Sequence, residues 1–266
     1  CNIQTKKLIV IADGSVSVGG HVYTGVYMNE FLYGLMAKLK PNDSSFKAYQ
    51  RISGAAPLYH EPENLNAPLT TRFLFGQIQK MLSSDYAVLA ETGDSWFNGI
   101  RLHLPQDCPF EIQMQYGSIG WSVGALLGMQ AALHNKKRVI GLIGDGSFQM
   151  SAQEISTLVR YGFKPIIFLM NNASYTIEVQ IHDGPYNVIN NWNYADLIGV
   201  FNGEHGTARA FKAGTHQTLL DAIAAAEQSD TLCFIEVILD KDDCNKNLLE
   251  WGARVATYNG RLPRAK

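Results

Sequence analysis

The sequence predicts an α/β fold, a mostly parallel sheet with helices on both faces, preceded by a partial α/β domain. Two observations carry that expectation. Within residues 138–178, RVIGLIGDGSFQMSAQEISTLVRYGFKPIIFLMNNASYTIE, two apolar runs of strand length, Val139–Ile143 and Pro165–Met170, flank a helix-like segment. The first run ends in Gly144-Asp145-Gly146-Ser147 and the second in Asn171-Asn172. This is a βαβ unit with a polar, turn-forming cluster at the carboxyl end of each strand, the edge where open α/β sheets bind ligands. Upstream, a third apolar run, Tyr86–Ala90, ends the same way, in Glu91-Thr92-Gly93-Asp94-Ser95-Trp96-Phe97-Asn98.

The remaining elements follow in order. Residues 1–56 read as a small α/β piece: a strand at Lys7–Ala12, a turn at Asp13-Gly14 and a hairpin partner at Val16–Val18. Asn29 caps a helix whose apolar residues Phe31, Leu32, Leu35, Met36 and Leu39 recur at helical spacing, and Pro41-Asn42-Asp43 stops it. Residues 57–68, PLYHEPENLNAP, have the composition of a linker, and His60 within it reads as solvated. The main domain is expected over 69–266. A helix runs from Leu69 to about Leu82, and the polar turn after Tyr86–Ala90 points to the ligand edge in preference to an ordinary N-cap at Asp94 or Ser95. Phe110–Met114 is a candidate strand. The helix that ends near His134 carries small residues (Gly124, Ala125, Gly128, Ala131, Ala132) suited to close packing. Gly203–Gly214 reads as a polar connection, Leu219–Ala225 as a helix and Leu232–Leu239 as a strand. Leu248, Leu249, Trp251, Gly252 and Val255 mark a last helix before a loose tail, RLPRAK.

The residue types at the sheet edge specify a chemistry. Gly144 and Gly146 allow a sharp turn that exposes N–H groups, and successive N–H groups at a helix start cradle an anion. Ser151-Ala152-Gln153-Glu154 fits a capping box, which predicts a helix starting beside that cradle. Asp145 offers a carboxylate oxygen and Asn172 an amide oxygen. With a backbone carbonyl they suit Mg²⁺, which takes few protein ligands together with phosphate and water. The 27-residue separation of Asp145 and Asn172 is enough for a strand–helix–strand excursion returning both to one edge. The reading is a Mg²⁺-diphosphate site.

Composition narrows the alternatives. A net charge of −2 gives no electrostatic case for nucleic acid or a membrane surface, and the apolar runs are too short to span a bilayer. The four cysteines lack a CxxC pairing, which suggests reduced thiols in the cytoplasm. The chain starts at Cys1 and is expected to be a piece of something longer.

The GDG…NN pattern resembles the thiamine diphosphate motif. GDGSFQMSAQE, IIFLMNN, YTIEVQIHDGPYNVINNWNY, AETGDSWFN and MQYGSIGWSVGA together resemble the plant-type pyruvate decarboxylase family over nearly the whole chain. The resemblance implies thiamine diphosphate and Mg²⁺ as cofactors, and non-oxidative decarboxylation of a small 2-oxo acid, with pyruvate giving acetaldehyde and CO₂. An indolepyruvate- or phenylpyruvate-type decarboxylase, a pure cofactor-binding module and one subunit of a two-chain enzyme are the alternatives; Trp96 counts against the first by narrowing the pocket.

The same resemblance assigns residues. Asp145, Asn172 and the backbone carbonyl of Ser174 would hold the metal. Thr92, Gly93, Asp94, Gly117, Gly146, Ser147, Phe148, Asn172 and Tyr175 would contact the cofactor, with Ile119 wedged beneath it. Trp96, Ile177 and Glu178 would line the substrate pocket. Glu178, expected to be buried among apolar neighbours with a raised pKa, would carry a catalytic proton. The family usually has Gly where this chain has Ser174, which puts the loop geometry in question if that position needs positive φ. His182 reads as structural. The carboxylate that activates the cofactor and the pocket histidines would come from the N-terminal domain of a neighbouring subunit in a homodimer or homotetramer. The chain alone is therefore expected to have little or no activity.

Overall fold

The computed structural model describes residues 4, 7–53 and 64–260. Cys1, His60, most of the expected linker and the tail 261–266 lie outside the described residues. The chain divides into two compact units, Cys1–Pro57 and Leu58–Lys266. The first holds an antiparallel sheet of β1 (Ile9–Ala12), β2 (Ser15–Val18) and β3 (His21–Thr24) in that order, with α1 (Met28–Met36) and α2 (Ser44–Ser53). The hairpin at Asp13-Gly14 is as expected, with Gly14 at φ +64°. The sequence reading missed β3, which is exposed along its whole length and so shows no apolar alternation, and α2, which follows the Pro41-Asn42-Asp43 stop. Tyr27, not Asn29, stands at the N-cap of α1.

The second unit runs α3 (Thr71–Met81), β4 (Tyr86–Ala90), α4 (Asp94–Gly99), β5 (Phe110–Ile112), α5 (Ser122–Ala132), β6 (Arg138–Gly144), α6 (Asp145–Ser151), α7 (Glu154–Arg160), β7 (Ile166–Asn171), α8 (Thr176–Ile181), α9 (Tyr194–Asn202), β8 (Arg209–Ala213), α10 (His216–Glu227), β9 (Cys233–Ile238) and α11 (Lys246–Tyr258). Its six strands form one sheet in the order β5-β4-β6-β7-β9-β8, parallel throughout. Alternation along each strand sorts side chains to two faces. Val88, Ile140, Leu142, Phe168 and Ile235 pack with α3 and α10 in one core. Leu89, Val139, Ile143, Leu169 and Phe234 pack with α5, α6, α7 and α9 in the other. Both faces are covered, as the continuous apolar strands require. A Cβ at Gly141 would sit 2.8 Å from the Leu126 side chain, so β6 uses glycine where α5 presses closest.

Two expectations are corrected. The segment Gly203–Gly214 contains β8, which was read as a connection. It is an edge strand, exposed at Arg209 and Lys212 and paired only with β9, so its apolar signal is weak. The predicted helix start at Ser151 is also wrong. The helix opens directly at Asp145, and Ser151 ends it; the Ser151 hydroxyl donates to the Gly120 carbonyl (2.7 Å) instead of capping.

Strand order places the site. From β4 the chain moves outward to β5, then recrosses β4 to reach β6. The crevice at this reversal opens between the carboxyl ends of β4 and β6, where ligands of open α/β sheets bind. Among the described residues, no helix is long and apolar enough to cross a membrane, and Cys108, Cys233 and Cys244 form no disulfide.

Candidate active site

A cleft opens at this reversal. The turn after β4 lines it with Thr92, Gly93, Asp94 and Ser95. The start of α6 contributes Gly144, Asp145, Gly146 and Ser147, and the exit of β7 contributes Asn172, Ser174, Tyr175, Thr176 and Ile177. Ile119, half-buried, projects from the loop before α5.

Asp145 is buried at the first position of α6. Its Oδ1 accepts from the Gly146 N–H (2.7 Å), and its Oδ2 accepts from the N–H groups of Asn172 (3.1 Å) and Ala173 (2.6 Å). One carboxylate thus ties the β6 turn to the β7 exit. A carboxylate offers about four lone-pair sites, so one remains for a cation. Burial pushes its pKa up to about 6, against the opposing pull of those N–H donors. Asn172 Nδ2 donates to the Thr176 hydroxyl (2.6 Å), which leaves Oδ1 as the amide atom available to a cation. Carboxylate, amide and backbone carbonyl form the hard-oxygen donor set that Mg²⁺ prefers.

The Ser174 question is answered by the backbone. Positive φ falls on Ala173 (+57°), and Ser174 is not in the left-handed region. Ser174 forms an antiparallel bridge with Val188, and the Tyr175 N–H donates to the Asn187 carbonyl (3.1 Å), so the exit loop is braced from outside. The Gly144–Ser147 turn is tight: a Cβ at Gly146 would lie 2.3 Å from the Tyr175 ring.

Several predicted residues stand elsewhere than expected. Phe148 is fully buried in the core against Tyr194 and Phe234, so its side chain cannot touch a ligand in the cleft. Trp96 does not line the cleft. It is buried in an apolar cluster with Phe97, Ile177 and Leu248, behind the pocket wall that Ile177 presents. Glu178 is half-buried, not enclosed, and stands one residue beyond the cleft-lining Ile177. Gly117 (φ +58°) packs near Thr92 without lining the cleft. His182 pairs through Nδ1 with the Tyr186 hydroxyl and stacks on its ring, a contact internal to the loop.

Asp94 lines the cleft but is not an N-cap; Gly93, at φ +113°, holds that position. The Asp94 carboxylate accepts from the Asn245 N–H (2.8 Å) and from Asn98 Nδ2 (2.7 Å), anchoring the start of α11. Burial pushes its pKa from 3.8 to about 6, and nearby Asp243 adds to the rise. The sign follows. Between pH 3.8 and 6 the folded state holds a proton that the unfolded state has lost, so stability from this group falls as pH rises through that window. Melting temperatures of the chain and an Asp94→Asn variant, measured from pH 4 to 7, should diverge across it. The unmodified chain loses up to about 3 kcal/mol relative to the variant; a constant difference would contradict the assignment.

Sequence reasoning missed two buried carboxylates. Glu91, at the end of β4, is completely buried, and burial raises its pKa. Glu236 on β9 accepts from Asn171 Nδ2 (2.8 Å) and from the Ala195 N–H at the start of α9 (3.1 Å), with Lys212 Nζ 3.6 Å away. A charged residue inside the run LCFIEVIL was the available signal, since a charge is kept in a buried strand only when it is partnered.

The fold and this edge define a class. The family described as thiamine pyrophosphate enzyme, C-terminal TPP binding domain, matches residues 91–237, and the chain belongs to it. More particular similarities are to plant proteins. The chain is 51% identical over 264 residues to "Pyruvate decarboxylase 2" of Pisum sativum, covering 98% of this chain and 64% of that protein. It is 51% identical over 264 residues to "Pyruvate decarboxylase 3" of Arabidopsis thaliana, covering 44% of it, and 50% identical over 266 residues to "Pyruvate decarboxylase 2" of Oryza sativa subsp. indica, covering 43%. The chain thus spans less than two thirds of the length of these relatives. A solved structure of a putative thiamin diphosphate-dependent enzyme from Mycobacterium smegmatis shares the fold, with a TM-score of 0.58 at 21% identity over 70% of this chain and 34% of that one.

Proposed function

We propose that this chain forms the diphosphate-binding half of the active site of a Mg²⁺- and thiamine diphosphate-dependent decarboxylase that converts pyruvate to acetaldehyde and CO₂. The observation that carries the reading is the convergence of Asp145, Asn172 and Ser174 on one cleft with Ile119 and the Thr92–Asp94 turn. The relatives named for pyruvate favour it over a decarboxylase of bulkier 2-oxo acids.

When bound, thiamine diphosphate supplies the nucleophilic carbon that adds to the keto group and the ring that takes up the electrons released with CO₂. The protein's residues bind, orient and exclude water. Asp145, Asn172 Oδ1 and the Ser174 carbonyl would hold Mg²⁺, which would offset the negative charge of the diphosphate. The N–H groups at the Gly144–Ser147 turn take the phosphate oxygens, and Tyr175 closes over Gly146. Ile119 would support the cofactor from the cleft wall. Ile177, backed by Trp96, makes the apolar wall on the substrate side, and the Glu178 carboxyl would give its proton to the substrate carbon that loses CO₂. The carboxylate that activates the cofactor comes from an N-terminal domain on a neighbouring subunit of a cytoplasmic homodimer or homotetramer, so the isolated chain binds without sustained turnover.

A chimera in which this chain replaces the 264 aligned residues of the Arabidopsis thaliana relative tests the reading. It should release acetaldehyde from pyruvate and turn over pyruvate faster than phenylpyruvate. A folded chimera that binds thiamine diphosphate yet releases no acetaldehyde would overturn the proposal, and a preference for phenylpyruvate would move it to the bulkier substrate class.

A further inference from the structure

We propose that Glu91 is a positioning residue for Ile119, locking the wedge loop to the end of β4. The inference rests on the cofactor role proposed above for Ile119. Glu91 has no exposed surface, although a buried carboxylate is costly unless its charge is met. Backbone donors meet it. Oε1 accepts from the Thr92 N–H (2.8 Å), and Oε2 accepts from the N–H groups of Gly120 (3.2 Å) and Ser122 (3.3 Å). One side chain therefore joins the two turns that frame the cleft, and it grips the loop at the residue immediately after Ile119.

The loop is held on its other sides too. The Gly120 carbonyl accepts from the Ser151 hydroxyl (2.7 Å), the Ser118 carbonyl from the Thr92 hydroxyl (3.2 Å), and the Ser118 N–H donates to Gln113 Oε1 (2.8 Å). Gly120 sits at φ +90°, and a Cβ there would lie 2.4 Å from the Met150 Cβ, so the loop cannot relax toward α6. Both neighbours of Ile119 are thus fixed, which makes a half-buried isoleucine a rigid platform. The choice of glutamate follows from the donors. Donors converge on both oxygens, and only an acceptor-only side chain satisfies them all; a glutamine would turn an NH₂ against a backbone N–H.

Amide hydrogen exchange and calorimetric titration of the full chain test this, with Mg²⁺ and thiamine diphosphate as the probe. In the unmodified chain the Gly120 and Ser122 amides should exchange as slowly as those of β6; rapid exchange there overturns the proposal without any variant. Glu91→Gln should speed exchange at those two amides and weaken binding on the order of tenfold, with Glu91→Asp recovering part of the loss. Ile119→Ala should weaken binding similarly, and the double variant should be no worse than the poorer single variant, because both changes remove one platform. Fully additive losses would mean that Glu91 acts only on general stability and would overturn the proposal. If the unmodified chain does not bind thiamine diphosphate at all, the function reading fails, while the exchange arm still decides the role of Glu91.

Discussion

An Asp145→Asn chain is expected to lose Mg²⁺-dependent thiamine diphosphate binding by at least about a hundredfold, roughly 2.7 kcal/mol, without a matching loss of stability. The two effects separate because the buried carboxylate is costly unless a cation meets it, as the proposed site requires. Its three N–H partners compensate burial only in part, and its pKa stands at about 6 in the cation-free protein. Asparagine keeps the shape and removes the charge. It places an NH₂ near one N–H donor, a cost of about 1–3 kcal/mol, and relieves an ionisation penalty of similar size at pH 7. The cation-free variant should therefore stay within about 1 kcal/mol of the unmodified chain. Asp145→Ala should lose both properties, because the Asn172 and Ala173 N–H groups are then left without their acceptor. Calorimetric titration and thermal melting of both variants check this; retained Mg²⁺-dependent binding in Asp145→Asn would remove Asp145 from the metal site.

Gly146→Ala is expected to damage stability and binding together. The added Cβ would lie 2.3, 2.8 and 2.9 Å from three atoms of the Tyr175 ring. Overpacking of this kind costs about 1–3 kcal/mol, or roughly 2–4 °C of melting temperature per kcal/mol in a domain of this size. The ring has to move, and it adjoins Ser174, so the loop proposed to hold the metal moves with it. Gly144→Ala is the internal control. A Cβ there meets only the Ser147 hydroxyl, at 3.9 Å, and the backbone is extended. That variant should melt close to the unmodified chain. Equal behaviour of the two variants would mean that the Gly146 contact does not shape the cradle.

The parallel sheet and its ligand edge were legible in the sequence because buried strands such as Ile166–Asn171 are apolar without interruption and end abruptly in polar turns. That Asp145 and Asn172 meet at one sheet edge was legible from their spacing alone. What escaped was decided by contacts distant in sequence. Nothing local says that Ser151 bonds Gly120 in place of capping a helix. Phe148 follows the cradle directly, but the turn of α6 carries it into the core. Trp96 was expected to be a pocket wall, and packing with Phe97 and Leu248 puts it behind one. Edge strand β8 carries arginine and lysine, which hide its pairing. Glu91 and Glu236 were visible as charges beside or inside apolar runs, but their partners lie on loops and helix starts far along the chain.

The central claim is that three oxygens, from Asp145, Asn172 and Ser174, hold the metal that clamps the cofactor's diphosphate. Crystals grown with thiamine diphosphate and Mn²⁺, an anomalously scattering substitute for Mg²⁺, test it most directly. The account predicts an anomalous peak within about 2.2 Å of an Asp145 carboxylate oxygen, Asn172 Oδ1 and the Ser174 carbonyl. A peak coordinated by other residues, with the diphosphate bound away from the Gly144–Ser147 turn, would contradict it.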